Sequence, residues 1–353
     1  MQLNTFALVL SLIFLNRAYP QMAATPAPGT GKSHAAPPAP GSGKSRAAAP
    51  ADPNLTLYGR GLYPGDDTTF DDLRLSGFTT IVLSSYYIHD NGDVYSGDSR
   101  DPIIHDGKYV GDTGWLRRIA SLKQKPGFVT RIELLLEGRW YNQPPNTFDF
   151  IRDWSDPDRQ VPGIVTGTGD NSTLYKIAVL FKNVLGVDAV SIDDESVYDS
   201  VSVLRLGEML HRLDMHMSLC PFTDLPYWKA LVQGSRKGLI DAIYLQCYDG
   251  GSRNEPGRWV DSLACDIPLY PIFLCRGAFS SCSTNHNSKS PDEIKAEMIR
   301  FKTTYPGMKG GAIWQMADVK NYIKSNCALH DPQSGTATSV REYLRQLVLN
   351  LKE

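Results

Sequence analysis

From residue 54 onward, short apolar runs alternate with amphipathic stretches. Eight of the runs, 55–62, 79–88, 129–136, 189–195, 216–222, 241–248, 268–275 and 311–316, are rich in Val, Ile, Leu and Tyr and bounded by turn residues. That combination predicts buried strands. Between most of them the apolar positions recur with helical spacing, over 115–123, 174–183, 201–213, 226–234, 258–264, 291–304 and, last, 340–351. Eight strands, each followed by a helix or room for one, within about 300 residues predict an α/β fold, a (β/α)8 barrel over 54–353. A doubly wound open sheet shares the alternation, but it needs a Gly-rich first turn that is absent here. Residues 91–110 are polar and Gly-rich with short apolar pieces, and predict a small hairpin inserted after the second strand.

The first 53 residues read differently. Residues 6–15, FALVLSLIFL, are an apolar run too short to span a bilayer, and 1–20 resemble a secretory signal although MQLNT carries no Lys or Arg. Residues 21–53 repeat PAPGTGKSHAAP as PAPGSGKSRAAA, a composition with little to bury, which predicts a disordered tether. GTGKS and GSGKS are not phosphate-binding loops. The first glycine of such a loop would fall at Pro26 and Pro38, and no strand precedes either.

Composition narrows the function. A net charge of −2 gives no reason to expect nucleic acid or an anionic membrane as partner, and no further apolar run is long enough for a membrane span. Six cysteines and two sequons, at Asn54 and Asn171, agree with a secreted protein. Cys275 with Cys282 is the expected disulfide, as a short loop closure. No His/Cys cluster has zinc spacing, so neither metal nor cofactor is expected, and the chain reads as a monomer. Six Trp and 17 Tyr suit a sugar-binding cleft.

One stretch resists a purely structural account. In GVDAVSIDDES, residues 186–196, an apolar strand runs into Asp193, Asp194 and Glu195. Clustered carboxylates repel and lose solvation on burial, so the cluster is unfavourable unless something uses the charge. A metal site and a charged loop capping the next helix are alternatives, with Asp194 on the opposite strand face from Ser191, Asp193 and Glu195. In a barrel these residues stand at the C-terminal strand ends, where active sites lie. Gln246, Tyr248 and Asp249 close the sixth strand, and Trp314 the eighth.

The run 188–195 resembles the D-G-x-D-x-D-x-E signature of glycoside hydrolase family 18, the chitinases and endo-β-N-acetylglucosaminidases. Tyr248-Asp249 is similar to the sixth-strand motif of that family, and Trp314 to its eighth-strand tryptophan. Three features depart from it: Ala189 replaces the glycine, Ser191 the middle aspartate, and RIELLLEGRW lacks the usual S-x-G-G, with Glu137 and Gly138 near that place. The resemblance implies retaining, substrate-assisted hydrolysis of β-1,4 links in N-acetylglucosamine-containing polysaccharides or glycans. It implies Glu195 as general acid, Asp193 and Tyr248 as ligands of the 2-acetamido group, and Trp314 as pocket floor. Gln246, Asp249, Tyr58, Tyr86 and Trp140 are further candidates for substrate contact. A carbohydrate-binding, lectin-like protein of the same fold is the alternative.

Overall fold

The computed structural model describes residues 53–138, 146–330 and 335–353. The expected signal segment, almost all of the tether, and Trp140 lie outside the described residues. Strand β1 (Asn54–Tyr58) pairs in parallel with both β2 (Thr80–Ile88) and β11 (Gly310–Trp314), and these two pairings close the sheet on itself. Between them run β6 (Arg131–Glu137), β7 (Ala189–Asp193), β8 (His216–Leu219), β9 (Ile240–Gln246) and β10 (Leu269–Leu274), all parallel. The result is the expected (β/α)8 barrel. The insertion after β2 is a three-strand antiparallel meander, not a two-strand hairpin: β3 (Val94–Ser96), β4 (Pro102–His105) and β5 (Lys108–Tyr109).

The strands are almost continuously buried because each is covered on both faces. On β6, Ile132, Leu134 and Leu136 join the outer core beneath the helices, while Leu135 joins the interior core with Tyr58, Val82, Tyr244, Ile272 and Ala312. With a side-chain period of two, Arg131, Glu133 and Glu137 therefore share the inward face of Leu135.

The helices are α1 (Asp67–Arg74), α2 (Thr113–Leu122), α3 (Thr147–Trp154), α4 (Thr173–Asn183), α5 (Ser200–Arg212), α6 (Leu225–Gly234), α7 (Pro256–Leu263), α8 (Pro291–Thr304), α9 (Met316–Lys324), α10 (Cys327–His330) and α11 (Val340–Leu351). Sequence pattern missed α1, α3, α9 and the four-residue α10. Two of these have only eight residues, too few to display a helical period, and side-chain caps start them: Asp66 accepts from the Thr69 N–H and Asn146 from the Phe148 N–H. At α9 the expected strand 311–316 overran: β11 stops at Trp314 and Met316 begins the helix.

The disulfide also differs from expectation. Cys282 bonds Cys327, 45 residues away, and joins the loop after β10 to α10. Cys275 is free and fully buried just beyond β10, packed into the outer core. Among the described residues no helix is long and apolar enough to cross a membrane.

Candidate active site

At the C-terminal end of the barrel, the β6–β7 register sets Glu137 beside Asp193. Asp193 is buried, whereas Glu195, two residues beyond the end of β7, is exposed at the mouth. Gln246, the last residue of β9, reaches across to both. Its Nε2 lies 3.1 Å from Asp193 Oδ1 and 3.0 Å from Glu195 Oε1, with the Cys220 carbonyl at 3.3 Å. Three acceptors around one atom fix it as the amide nitrogen, and its two protons tether the carboxylates to each other.

Asp193 and Glu195 behave as a coupled pair whose proton affinity is raised. For Asp193 the main cause is burial, reinforced by the charges of Glu195, Glu137 and Asp194. Protein crowded around the Glu195 carboxyl pushes its pKa up; the Gln246 hydrogen bond opposes this, and Glu137 and Asp194 add to it. Among the described residues none of Glu137, Asp193 and Glu195 has an ion-pair partner. Two adjacent carboxylates without a countercharge do not both ionise readily, so the pair retains a proton into the range where a free carboxylic acid has lost its own.

The third acid of the cluster plays another part. The Asp194 carboxylate accepts the N–H groups of Ser196, Val197 and Tyr198 at 2.8–3.1 Å, fixing the loop that carries Glu195. Asp188, at the start of the same stretch, sits at the opposite end of the barrel, bonded to Lys123 and to the Ile132 N–H.

Aromatic rings floor the cleft. Trp314 stacks at 25° to Tyr248, centroids 6.5 Å apart, and packs at 5.1 Å over Tyr58. Glu137, Asp193, Glu195, Gln246, Tyr248, Asp249 and Trp314 line a cavity of ≈ 310 Å³. Asp249 is half-exposed and lies 2.7 Å from His286 Nδ1.

Two expected contact residues fall elsewhere. Tyr58 is fully buried inside the barrel, its hydroxyl 3.6 Å from Cys220 Sγ, so it supports the Trp314 floor from below instead of lining the cleft. Tyr86 is buried in the outer core. The β2–β6 register slips between Leu83 and Tyr86, and this bulge reverses the strand parity. Tyr87 consequently points to the site, donating its hydroxyl to Glu137 at 2.9 Å. Trp140 is outside the described residues.

Sequence reasoning assigned no role to Glu137, Arg60, Phe222, Phe279 or Gln315, all of which line the cleft. The Gln315 Oε1 is buried without a hydrogen-bond partner among the described residues. Glu137 carried a signal: it ends the third barrel strand on the inward parity.

No family model matches the chain, and no curated protein matches it. Solved structures do resemble it. The catalytic domain of a hyperthermophilic chitinase from Pyrococcus furiosus is 12% identical at a TM-score of 0.49, covering 76% of this chain and 86% of that one. A spore cortex-lytic enzyme from Bacillus megaterium is 9% identical at 0.48, covering 82% and 76%. A sugar phosphate isomerase/epimerase from Parabacteroides distasonis is 12% identical at 0.45, covering 87% and 96%. Neighbours with such different names select no chemistry; that rests on the residues.

Proposed function

We propose that the protein is a glycoside hydrolase acting on β-1,4 links of N-acetylglucosamine-containing glycans, by a retaining mechanism in which the substrate's own acetamido group is the nucleophile. The observation that carries this reading is the Gln246-bridged Asp193–Glu195 pair, set without a countercharge among the described residues beside an aromatic-floored cleft.

In this mechanism Glu195 gives its proton to the glycosidic oxygen as the bond to C1 breaks. The acetamido carbonyl oxygen closes on C1 from the opposite face, giving an oxazolinium ion. Asp193 accepts the acetamido N–H, orienting the group and offsetting its developing positive charge. Tyr248 hydrogen-bonds the acetamido oxygen and Trp314 stacks beneath the sugar. Water then attacks C1, giving its proton to Glu195, and the configuration is retained. The raised proton affinity matters because a general acid works best with a pKa near the working pH. Gln246 fixes the separation of the two carboxylates and loses no contact as the proton leaves.

The test is turnover of a chitobiose reporter, with and without a chelator. The expected outcome is hydrolysis with retained configuration, insensitive to chelation and abolished in Glu195→Gln. Inverted product excludes the mechanism. Binding without turnover favours the lectin-like alternative. Loss on chelation indicates a metal-dependent hydrolase. Product analysis on chitin oligomers beside a high-mannose glycoprotein then separates chitin-type from N-glycan substrates. Secretion belongs to the same proposal, supported by the Cys282–Cys327 disulfide.

A further inference from the structure

The loop after β10 presents Phe279 in a way that its own packing does not explain. The ring is 59% exposed, although the residue lines the same cleft as Asp193 and Glu195. Its backbone is left-handed, φ 52° and ψ 34°, a conformation that bulky L-residues rarely adopt. A water-facing phenylalanine held in an unfavourable backbone conformation contributes nothing to a core.

The surroundings hold it there. The Phe279 backbone amide is turned toward the carboxylate of Asp318, a buried residue on α9. The turn is closed by Gly277 N–H to the Ser281 carbonyl at 3.0 Å and Ser281 N–H to the Ala278 carbonyl at 3.0 Å. Three residues further on, Cys282 anchors the loop to α10 through the disulfide. One ring face rests on His286, centroids 4.2 Å apart, and His286 is fixed by Asp249 next to Tyr248.

We infer that Phe279 is a stacking platform for a further sugar ring of the glycan, an additional subsite at the lip of the cleft, with His286 and Asp249 as its positioning residues. This rests on the glycosidase reading. Continuity with the cleft identifies the occupant: a chain threaded past Glu195 and Trp314 extends to surfaces that line the same cavity. Size agrees. A cavity of ≈ 310 Å³ is at the small end of the range for ligand sites, so the rest of an oligosaccharide must lie on the rim. A pyranose ring has an apolar face of C–H groups that suits a flat aromatic, and a pre-fixed ring loses little entropy on binding.

The test uses the full chain carrying Glu195→Gln, so that binding is read without turnover. Isothermal titration compares chitobiose with chitohexaose, with and without Phe279→Ala or Phe279→Trp. The expected result is roughly tenfold weaker hexamer binding in Phe279→Ala, the size of one aromatic stacking contact, with a smaller change for the dimer and recovery in Phe279→Trp. His286→Ala should reproduce part of the loss. Equal loss for both lengths, or none for either, overturns the subsite while leaving the glycosidase reading standing, provided wild type hydrolyses the reporter. Neither binding nor turnover of any oligomer overturns both. Unchanged melting temperatures of the Phe279 variants exclude misfolding as the cause.

Discussion

At the bottom of the barrel, Glu133 takes a hydrogen bond from Arg131 Nε at 2.6 Å, another from the Tyr244 hydroxyl at 2.9 Å, and a third from Ser218. Arg131 also grips Asp241 in bidentate fashion at 2.7 and 2.8 Å. At the top, Glu137, on the same strand and the same face, has Tyr87 as a neutral donor and faces Asp193 and Glu195, with no cation in ion-pair range among the described residues. Both layers place acids inside one barrel. The lower one pairs its acids with a guanidinium and satisfies their oxygens, as a structural network must. The upper one keeps like charges together and tolerates the repulsion, which is what a proton donor requires. A paired cation, more than the presence of acids, separates scaffold from site.

The largest contrast between the layers should appear in catalysis. Glu195→Gln keeps the shape and the contact with Gln246 but removes the proton, and should lower kcat about a hundred- to ten-thousand-fold. Near-normal kcat on a chitobiose reporter would remove Glu195 from its role.

Stability should respond in the opposite sense. Arg131→Met leaves Glu133 buried without its cation and should destabilise the fold by about 3–5 kcal/mol, read as the shift of a urea midpoint. Per folded molecule, turnover should persist. A midpoint shift below about 1 kcal/mol would mean that the lower layer is not a coupled network.

At the top, neutralising an acid should stabilise. Burial and neighbouring charge raise the pKa of Asp193 above its unfolded value. The folded state therefore holds its proton more tightly, and the associated stability is complete below the unfolded carboxylate pKa and lost as pH rises through the folded one. Asp193→Asn removes that loss. Its melting temperature should match wild type in acid and exceed it at neutral pH. A variant less stable than wild type at neutral pH would show that Asp193 serves the fold.

Glu137 should act more gently, through the pair. Its charge raises the proton affinity of both Asp193 and Glu195. Glu137→Gln removes that repulsion, so Asp193 ionises and Glu195 loses its proton at lower pH. Both limbs of the kcat/KM profile should move toward acid, with the maximum little changed. An unshifted profile would reduce Glu137 to an anchor for Tyr87.

What the sequence disclosed depended on range. Strand runs and strand ends are local, so the barrel and the grouping of Asp193, Glu195, Gln246, Tyr248 and Trp314 could be read from spacing. The exchange of Tyr86 for Tyr87 could not, because it follows from a bulge against β6 that leaves no mark on β2 beyond two serines. Burial of Tyr58 depends on the Trp314 ring, which the neighbouring strand β11 brings from the far end of the sequence, and the Cys282–Cys327 bond on a helix 45 residues away. Phe279 lacked a signal altogether, since its exposure is set by Asp318 and His286.

The smallest effect should come from Ser191, which lies between the two layers. Sequence reasoning had this serine replacing a family aspartate on the face of Asp193, a place from which it could be coupled to the site. In the structure Ser191 is fully buried, paired in register with Leu135 and Ser218, and its hydroxyl has no hydrogen-bond partner among the described residues. An unmade hydrogen bond stabilises nothing, while the desolvated hydroxyl carries a penalty of about 1–3 kcal/mol. Ser191→Ala should therefore be neutral or slightly stabilising, with an unchanged pH–rate profile. Ser191→Asp should do the opposite: it adds a buried charge with no free cation among the described residues to meet it, because Arg131 below is already held by Glu133 and Asp241; it lowers the melting temperature and raises the acidic limb as one more carboxylate competes for ionisation. Paired melts and pH–rate profiles on one soluble substrate decide the matter. If Ser191→Ala lowers turnover, the hydroxyl is a working part of the upper layer, and the boundary between scaffold and site lies one register lower than Asp193.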